Sequence, residues 1–252
     1  MKRTWITALL CGTMIATALP VSATTKHNPT SEPTTIPETS RGVVARMELT
    51  EFSTIYSDIV AGITIEQGNE YLIEARGPEH IIQLIEPVVS KGGTLTIKSV
   101  KEYKTKKNNG VTIRIVTPTI DHIYNNGVGN MHVRGTVKTQ MMTVTNEGVG
   151  NVTIDNLQCE ILQVINEGVG NINLTGEVAK RAIFKSEGVG SINAYNLITP
   201  DLTAELEGVG SIECHATERI TCKAEGVGSI YYKGNPKHTN ISNEGIGKVR
   251  KM

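Results

Sequence analysis

Aromatic side chains are scarce in this chain: they make up 4 % of 252 residues, with one Trp and two Phe against 25 Gly. A helical bundle or a large aromatic core is therefore not expected, whereas many short strands with glycine corners are. Net charge is missing too, since 25 Lys and Arg balance 25 Asp and Glu. That removes the electrostatic reason for binding nucleic acid or an anionic membrane. Cysteine is sparse, and the three that follow the N-terminal leader, Cys159, Cys214 and Cys222, are too few and odd in number for a disulfide framework. None has partner histidines at a zinc-ligand spacing, so they read as small buried hydrophobes and no metal or cofactor is expected from them. No Gly-rich phosphate loop or Ser-centred nucleophile elbow precedes residue 120.

No apolar run is long enough to span a bilayer after the leader. The leader itself has the form of an export signal, with Lys2 and Arg3, an apolar run from Ile6 to Leu19, and Val21-Ser22-Ala23 as a site for cleavage after Ala23. Lipid attachment at Cys11 is not expected, because Leu10 precedes it where a small residue is needed. Residues 24–42 are rich in Thr and Pro with few large apolar side chains, as in a disordered tether. Residues 43–252 are expected to form one domain, irregular over 43–120 and regular from 121 onward.

From Val43 to Ile120 the apolar pattern has period two. Ile63 and Ile65, Tyr71 and Ile73, Leu95 and Ile97, and Val111, Ile113 and Ile115 alternate with polar residues between turn signals such as Gly77-Pro78 and Lys91-Gly92-Gly93. One helical piece is expected at 79–86, ended by Pro87. Lys98, Lys101, Lys104, Lys106 and Lys107 form a basic run that suits a solvated hairpin loop better than an anionic-polymer contact.

What the chain has in abundance is a repeat. Asn126-Gly127-Val128-Gly129-Asn130 returns as Glu147 to Asn151, Glu167 to Asn171, Glu187 to Ser191, Glu207 to Ser211, Glu225 to Ser229 and Glu244 to Lys248. First glycines at 127, 148, 168, 188, 208, 226 and 245 set a unit of about twenty residues, the period of a solenoid. Such a unit cannot bury an apolar face alone and must stack on its copies. With the first glycine of each unit as position zero, +4 carries Met131, Val152, Ile172, Ile192, Ile212, Ile230 and Val249, and +6 carries Val133, Ile154, Leu174, Ala194, Cys214 and Tyr232. These describe a strand with one face inward. A second inward set lies near +14 and +16: Leu162 and Val164, Ala182 and Phe184, Leu202 and Ala204, Cys222 and Ala224. Gly135, Gly176 and Gly234, or Asn156 and Asn196, mark a corner near +8. In-register stacking of such units is an all-β, single-stranded, right-handed parallel β-helix. The glycines at 127, 129, 148, 150, 168, 170, 188, 190, 208, 210, 226, 228, 245 and 247 are read as structural bends, Gly127, Gly129, Gly148, Gly150, Gly168, Gly170, Gly188, Gly190, Gly208, Gly210, Gly226, Gly228, Gly245 and Gly247, each pair enclosing an inward Val or Ile.

The head, with Glu51-Phe52-Ser53-Thr54-Ile55, Ile63 to Gly68, Gly77-Pro78 and Gly93 to Ile97, followed by the Gly-Val-Gly units and Tyr231 to Pro236, resembles the head GIN domain of auto-transporter adhesins. The likeness runs from about Val43 to Val249. It implies an exported right-handed parallel β-helix, with no biochemical role fixed by the family, and the expected location is the envelope of a Gram-negative-type bacterium, in the periplasm, at the outer membrane or on the surface. Two departures stand out. Members usually carry Ser before the first glycine where this chain has Glu, and no membrane-barrel segment follows Val249, so self-translocation is not expected.

Two surfaces could carry function. Glu147, Glu167, Glu187 and Glu207 begin a carboxylate column that suits either a solvated ridge or a hard cation such as Ca²⁺. On the outward strand face, Asn193, Tyr195, Glu213, His215, Tyr231 and Lys233 combine aromatic faces with amides and charges, the chemistry of a sugar-binding surface. The expected role is structural, adhesive or ligand-binding, toward glycan or another envelope protein, and not enzymatic. The rival reading is a polysaccharide lyase or glycoside hydrolase, for which Glu213 beside His215 and Lys233 is the nearest approach to a catalytic cluster.

Overall fold

The computed structural model describes residues 6–7, 43–101 and 110–252. The tether expected over 24–42, most of the export signal, and Lys104, Lys106 and Lys107 lie outside them. Strand β1 (Ile6–Thr7) pairs antiparallel with β2 (Val43–Glu48). The head continues with β3 (Thr54–Asp58), β4 (Gly62–Gln67), β5 (Leu72–Gly77), helix α1 (Glu79–Ile82), β6 (Ile85–Val89), β7 (Thr94–Ser99), β8 (Thr112–Thr117) and β9 (His122–Asn125). The strand pattern was legible from the alternation, but the helix is shorter than the expected 79–86. Ile81 and Ile82 are the buried pair of the helix, and from Ile85 the burial alternates, with Ile85 and Pro87 inward and Glu86 and Val88 outward. Pro87 thus sits in a strand whose one strand partner among the described residues is β7, paired antiparallel, a place where a missing N–H is tolerated.

The head is not wound in chain order. Strand β3 lies between β7 and β9 and is parallel to both, while β4 lies between β8 and β10 (Met131–Lys138), again parallel to both. The chain therefore lays down the β3–β4 layer, folds outward to build the terminal β7–β8 layer, and crosses back to begin the regular coils. Around that outer layer the pairing turns antiparallel, with β5 joined to β2 and β8. This closes the end of the stack, where an open ladder would invite association. Arg114 of β8 fastens the layers, reaching Glu66 at 2.7 Å and Glu74 at 3.4 Å.

The remaining strands are β11 (Met141–Asn146), β12 (Val152–Asn166), β13 (Ile172–Ser186), β14 (Ile192–Leu206), β15 (Val209–Ala224), β16 (Val227–Lys233), β17 (His238–Asn243) and β18 (Val249–Lys251). All pair in parallel with their equivalents one coil away, so the fold is the expected parallel β-solenoid. As far as Ala224 each regular coil has three inward sides. There the columns at +4 and +6 are buried, as is the side that runs up to the next Gly-Val-Gly corner, whereas β17 in the last coil is exposed. Between them Val137, Leu157, Val178, Leu197 and Ala216 supply a third buried set. Each such side chain is worth about 1.5–3 kcal/mol of transfer free energy when large and fully buried.

Two expectations about this core need correction. The coil between Gly208 and Gly226 is two residues shorter than the one before it, so Cys222 pairs with Ala204 and Ala224 with Leu206, not with Leu202 and Ala204. The Val between the paired glycines faces outward: Val149, Val169, Val189, Val209 and Val227 are about half exposed, from 50 to 52 %. The alternation runs through the corner without a break. Asn166, Gly168, Ile172 and Leu174 are buried, while Glu167 and Val169 are exposed. The glycines are needed because their inward position abuts the neighbouring coil, and a Cβ on Gly168 would stand 2.2 Å from the carbonyl oxygen of Gly148.

Candidate functional site

The corner repeat puts three columns side by side. Backbone bonds running along the axis hold them, as Gly168 N–H donates to Asn146 O at 2.8 Å, Val169 N–H to Gly148 O at 2.9 Å and Gly170 N–H to Val189 O at 2.9 Å. Val60, Val128, Val149, Val169, Val189, Val209, Val227 and Ile246 bridge from coil to coil in one line. Beside them run the carboxylates, with the glycines as a floor between. From Glu167 to Ile246 the three columns bound a shallow groove of about 680 Å³.

The carboxylates do not share one environment. Lys185 pairs with Glu187, and Lys223 pairs with Glu225 at 2.9 Å. Each lysine sits two residues before its partner, on the same outward face, and each ammonium is held charged to higher pH by the hydrogen bond it donates to its Glu. Tyr124 donates to Glu147, and this bond, together with burial, pushes its hydroxyl up to about 12. Glu167, Glu207 and Glu244 have no ion pair among the described residues. Nor does any group of three or more His, Cys, Asp or Glu among those residues stand in position to hold a metal ion.

Behind the carboxylates lies a feature the sequence reading missed. Two residues before the first glycine, inside the coil, Asn125 donates from Nδ2 to Asn146 Oδ1 at 2.7 Å, and Asn146 donates to Asn166 Oδ1 at 2.9 Å. Asn166 closes the ladder on Gly170 O at 3.2 Å, and Asn243 repeats that closure on Gly247 O. The signal was present as Asn at 125, 146, 166 and 243, always two before a glycine. A second ladder flanks the Val column, where side-chain oxygens of Asn130, Asn151, Asn171 and Ser191 each accept the backbone N–H of the equivalent residue one coil on.

The other sequence candidate lies one side further round. Asn193, Glu213 and Tyr231 are direct rung neighbours, and His215 pairs with Lys233. Tyr195 falls in an irregular stretch: His215 pairs with Ile198 instead, the register shifting between Asn193 and Ile198. Lys233 still reaches across, its Nζ 4.1 Å from the centre of the Tyr195 ring and 3.4 Å from Asn196 Oδ1. The ammonium occupies one face of that ring. His215 is held neutral further into the acid range by burial and by the charge of Lys233, and its Nδ1 is buried without a partner. No ion pair joins Glu213 to His215 among the described residues; the His–carboxylate pair they do contain is His132 with Asp155 at 2.6 Å, several coils away.

No helix among the described residues is long and apolar enough to cross a membrane. A search among curated proteins found no match. Among solved structures, the chain resembles a putative adhesin of Bacteroides fragilis at 33 % identity and a TM-score of 0.81, over 84 % of this chain and 98 % of that one. A putative adhesin of Parabacteroides distasonis (19 % identity, TM-score 0.64) and a putative lipid binding protein of the same species (18 %, 0.59) each match over 84 % of this chain and 97 % of theirs, and share the fold. Residues 51–236 match the family described as putative auto-transporter adhesin, head GIN domain. With the Gly-Val-Gly coils, the capped head and the Bacteroides relative all in agreement, this chain belongs to the head GIN domain family of auto-transporter adhesins.

Proposed function

We propose that this protein is an exported, non-catalytic adhesion module of the bacterial envelope that recognises glycan on the outward face of its last regular coils. The observation that carries the reading is the rung register of Asn193, Glu213 and Tyr231 beside His215 and Lys233. It sets an amide, a carboxylate, an aromatic ring and a cation on one rigid sheet face, where ligand hydroxyls would meet donors and acceptors at fixed spacing. Tyr231 is the platform residue, since Lys233 already occupies a face of Tyr195. Membership in an adhesin family supports the adhesive role.

The test is a glycan array probed with the purified protein and with Tyr231→Ala and Lys233→Ala. Binding to a defined set of glycans, lost in both variants, is the expected result. A wild-type profile unchanged by either substitution would sink the assignment. Export is checked separately by fractionating the producing cells and sequencing the N-terminus of the mature protein, which is expected to begin at Thr24.

A further inference from the structure

We infer that the groove between the Glu and Val columns is a docking track for an extended segment of another protein in which apolar and basic residues alternate. This surface is separate from the proposed glycan face. One wall is hydrocarbon, with Val169, Val189, Val209 and Val227 half exposed and Ile246 at 76 %. The other is acidic, and the floor is glycine backbone.

The charges select the sign of the partner. Carboxylates one rung apart repel by about 1 kcal/mol in water and more near protein. The chain offsets this at alternate rungs only, with Lys185 on Glu187 and Lys223 on Glu225. Glu167 and Glu244, outside those two, have no ion pair among the described residues, and Glu207, between them, has none either and feels only the longer-range attraction of the same two lysines. A partner bringing a cation to each of these completes the row.

The backbone selects the manner of binding. The corner amides are spent along the axis, as with Gly168, Val169 and Gly170, so a partner cannot join as an added strand and must engage through side chains. Five rungs, from Glu167 to Glu244, span about 19 Å at roughly 4.8 Å per rung. An extended chain of about six residues covers that length, with successive side chains falling on opposite sides. Alternation of apolar and basic residues then places the first kind over the Val wall and the second over the Glu wall.

The test is titration of the purified protein with an acetylated, amidated Val-Lys hexapeptide, followed by NMR shifts and calorimetry. Binding is expected to perturb the Val169 to Val227 methyls. Rim-type charge pairs are weak singly, so the triple substitution Glu167→Gln, Glu207→Gln and Glu244→Gln is expected to lower affinity about tenfold. A Gly-Lys hexapeptide of equal charge is expected to bind about tenfold more weakly, for want of the apolar contacts. No methyl perturbation, equal binding by the Gly-Lys peptide, or full affinity in a triple variant whose circular dichroism matches wild type would each overturn the inference. None of these outcomes bears on the glycan array.

Discussion

Asn146 Nδ2 lies 2.9 Å from Asn166 Oδ1 inside the solenoid, both side chains fully buried, and the same Asn146 accepts from Asn125 at 2.7 Å. A side-chain amide is both donor and acceptor, so a column of them can satisfy itself while marking the register of coil on coil.

Replacing Asn146 by Ala is expected to cost about 2–4 kcal/mol, because it strands the Asn125 donor and the Asn166 acceptor in the core. Chemical denaturation of the variant measures this. A loss under about 0.5 kcal/mol would mean that water takes over both roles.

The neighbouring rung behaves differently. Ser186 occupies the same column, but its Oγ is buried with no partner. Ser186→Ala therefore removes an unsatisfied group and is expected to leave stability within about 0.5 kcal/mol of wild type or raise it, read as the midpoint of a thermal melt.

Glycine position decides the next pair. Gly168→Ala drives a Cβ to within 2.2 Å of Gly148 O, and backbone there cannot step aside without breaking the coil pairing. Loss of folding, or a cost above about 3 kcal/mol, is expected. Gly135→Ala meets nothing within 4 Å and carries only the strain of φ +76°, about 1–2 kcal/mol. Parallel urea melts of the two variants check the contrast.

Acid sensitivity follows from His215. Burial, then the nearby Lys233 charge, lower its folded pKa below the unfolded value. The unfolded chain then binds more protons, so the stability this group contributes is present above about pH 6.5 and declines as pH falls below it. Lys233→Ala is expected to raise the His215 pKa and His215→Gln to flatten that limb of the stability curve, by NMR titration and by melts between pH 5 and 7.5.

Burial also silences the thiols. Cys159 and Cys222 are pushed up to about 12, and Cys214 well above the usual range. A thiol-reactive chromophore is expected to label none of the three in the native state and all of them in guanidinium. Labelling at the native rate of an exposed thiol would contradict the core placement.

The coil and its corners could be read directly from residues, because a repeat with glycine every twenty positions leaves the chain one economical way to bury Ile172 and Leu174, namely against Ile192 and Ala194 in the next unit. The outward Val was legible as well: Ile172 is inward, Val169 is an odd number of residues away, and strict alternation sends it to solvent. The Gly-Val-Gly bend does not reset that phase, so the Val faces outward. The amide ladder was visible only as recurring Asn, and polar residues near a turn ordinarily signal a surface.

By itself, then, the sequence determined the solenoid, its twenty-residue period, the inward columns and the family, since each follows from local alternation and repetition. Tertiary structure alone decided that β3 lies between β7 and β9, that the short coil moves Cys222 opposite Ala204, and that Lys233 reaches across to the ring of Tyr195. These depend on which distant segments meet across the stack. Residues some twenty or more apart in the chain become neighbours one rung apart, and no short-range pattern states which charge or which strand will stand on the next rung.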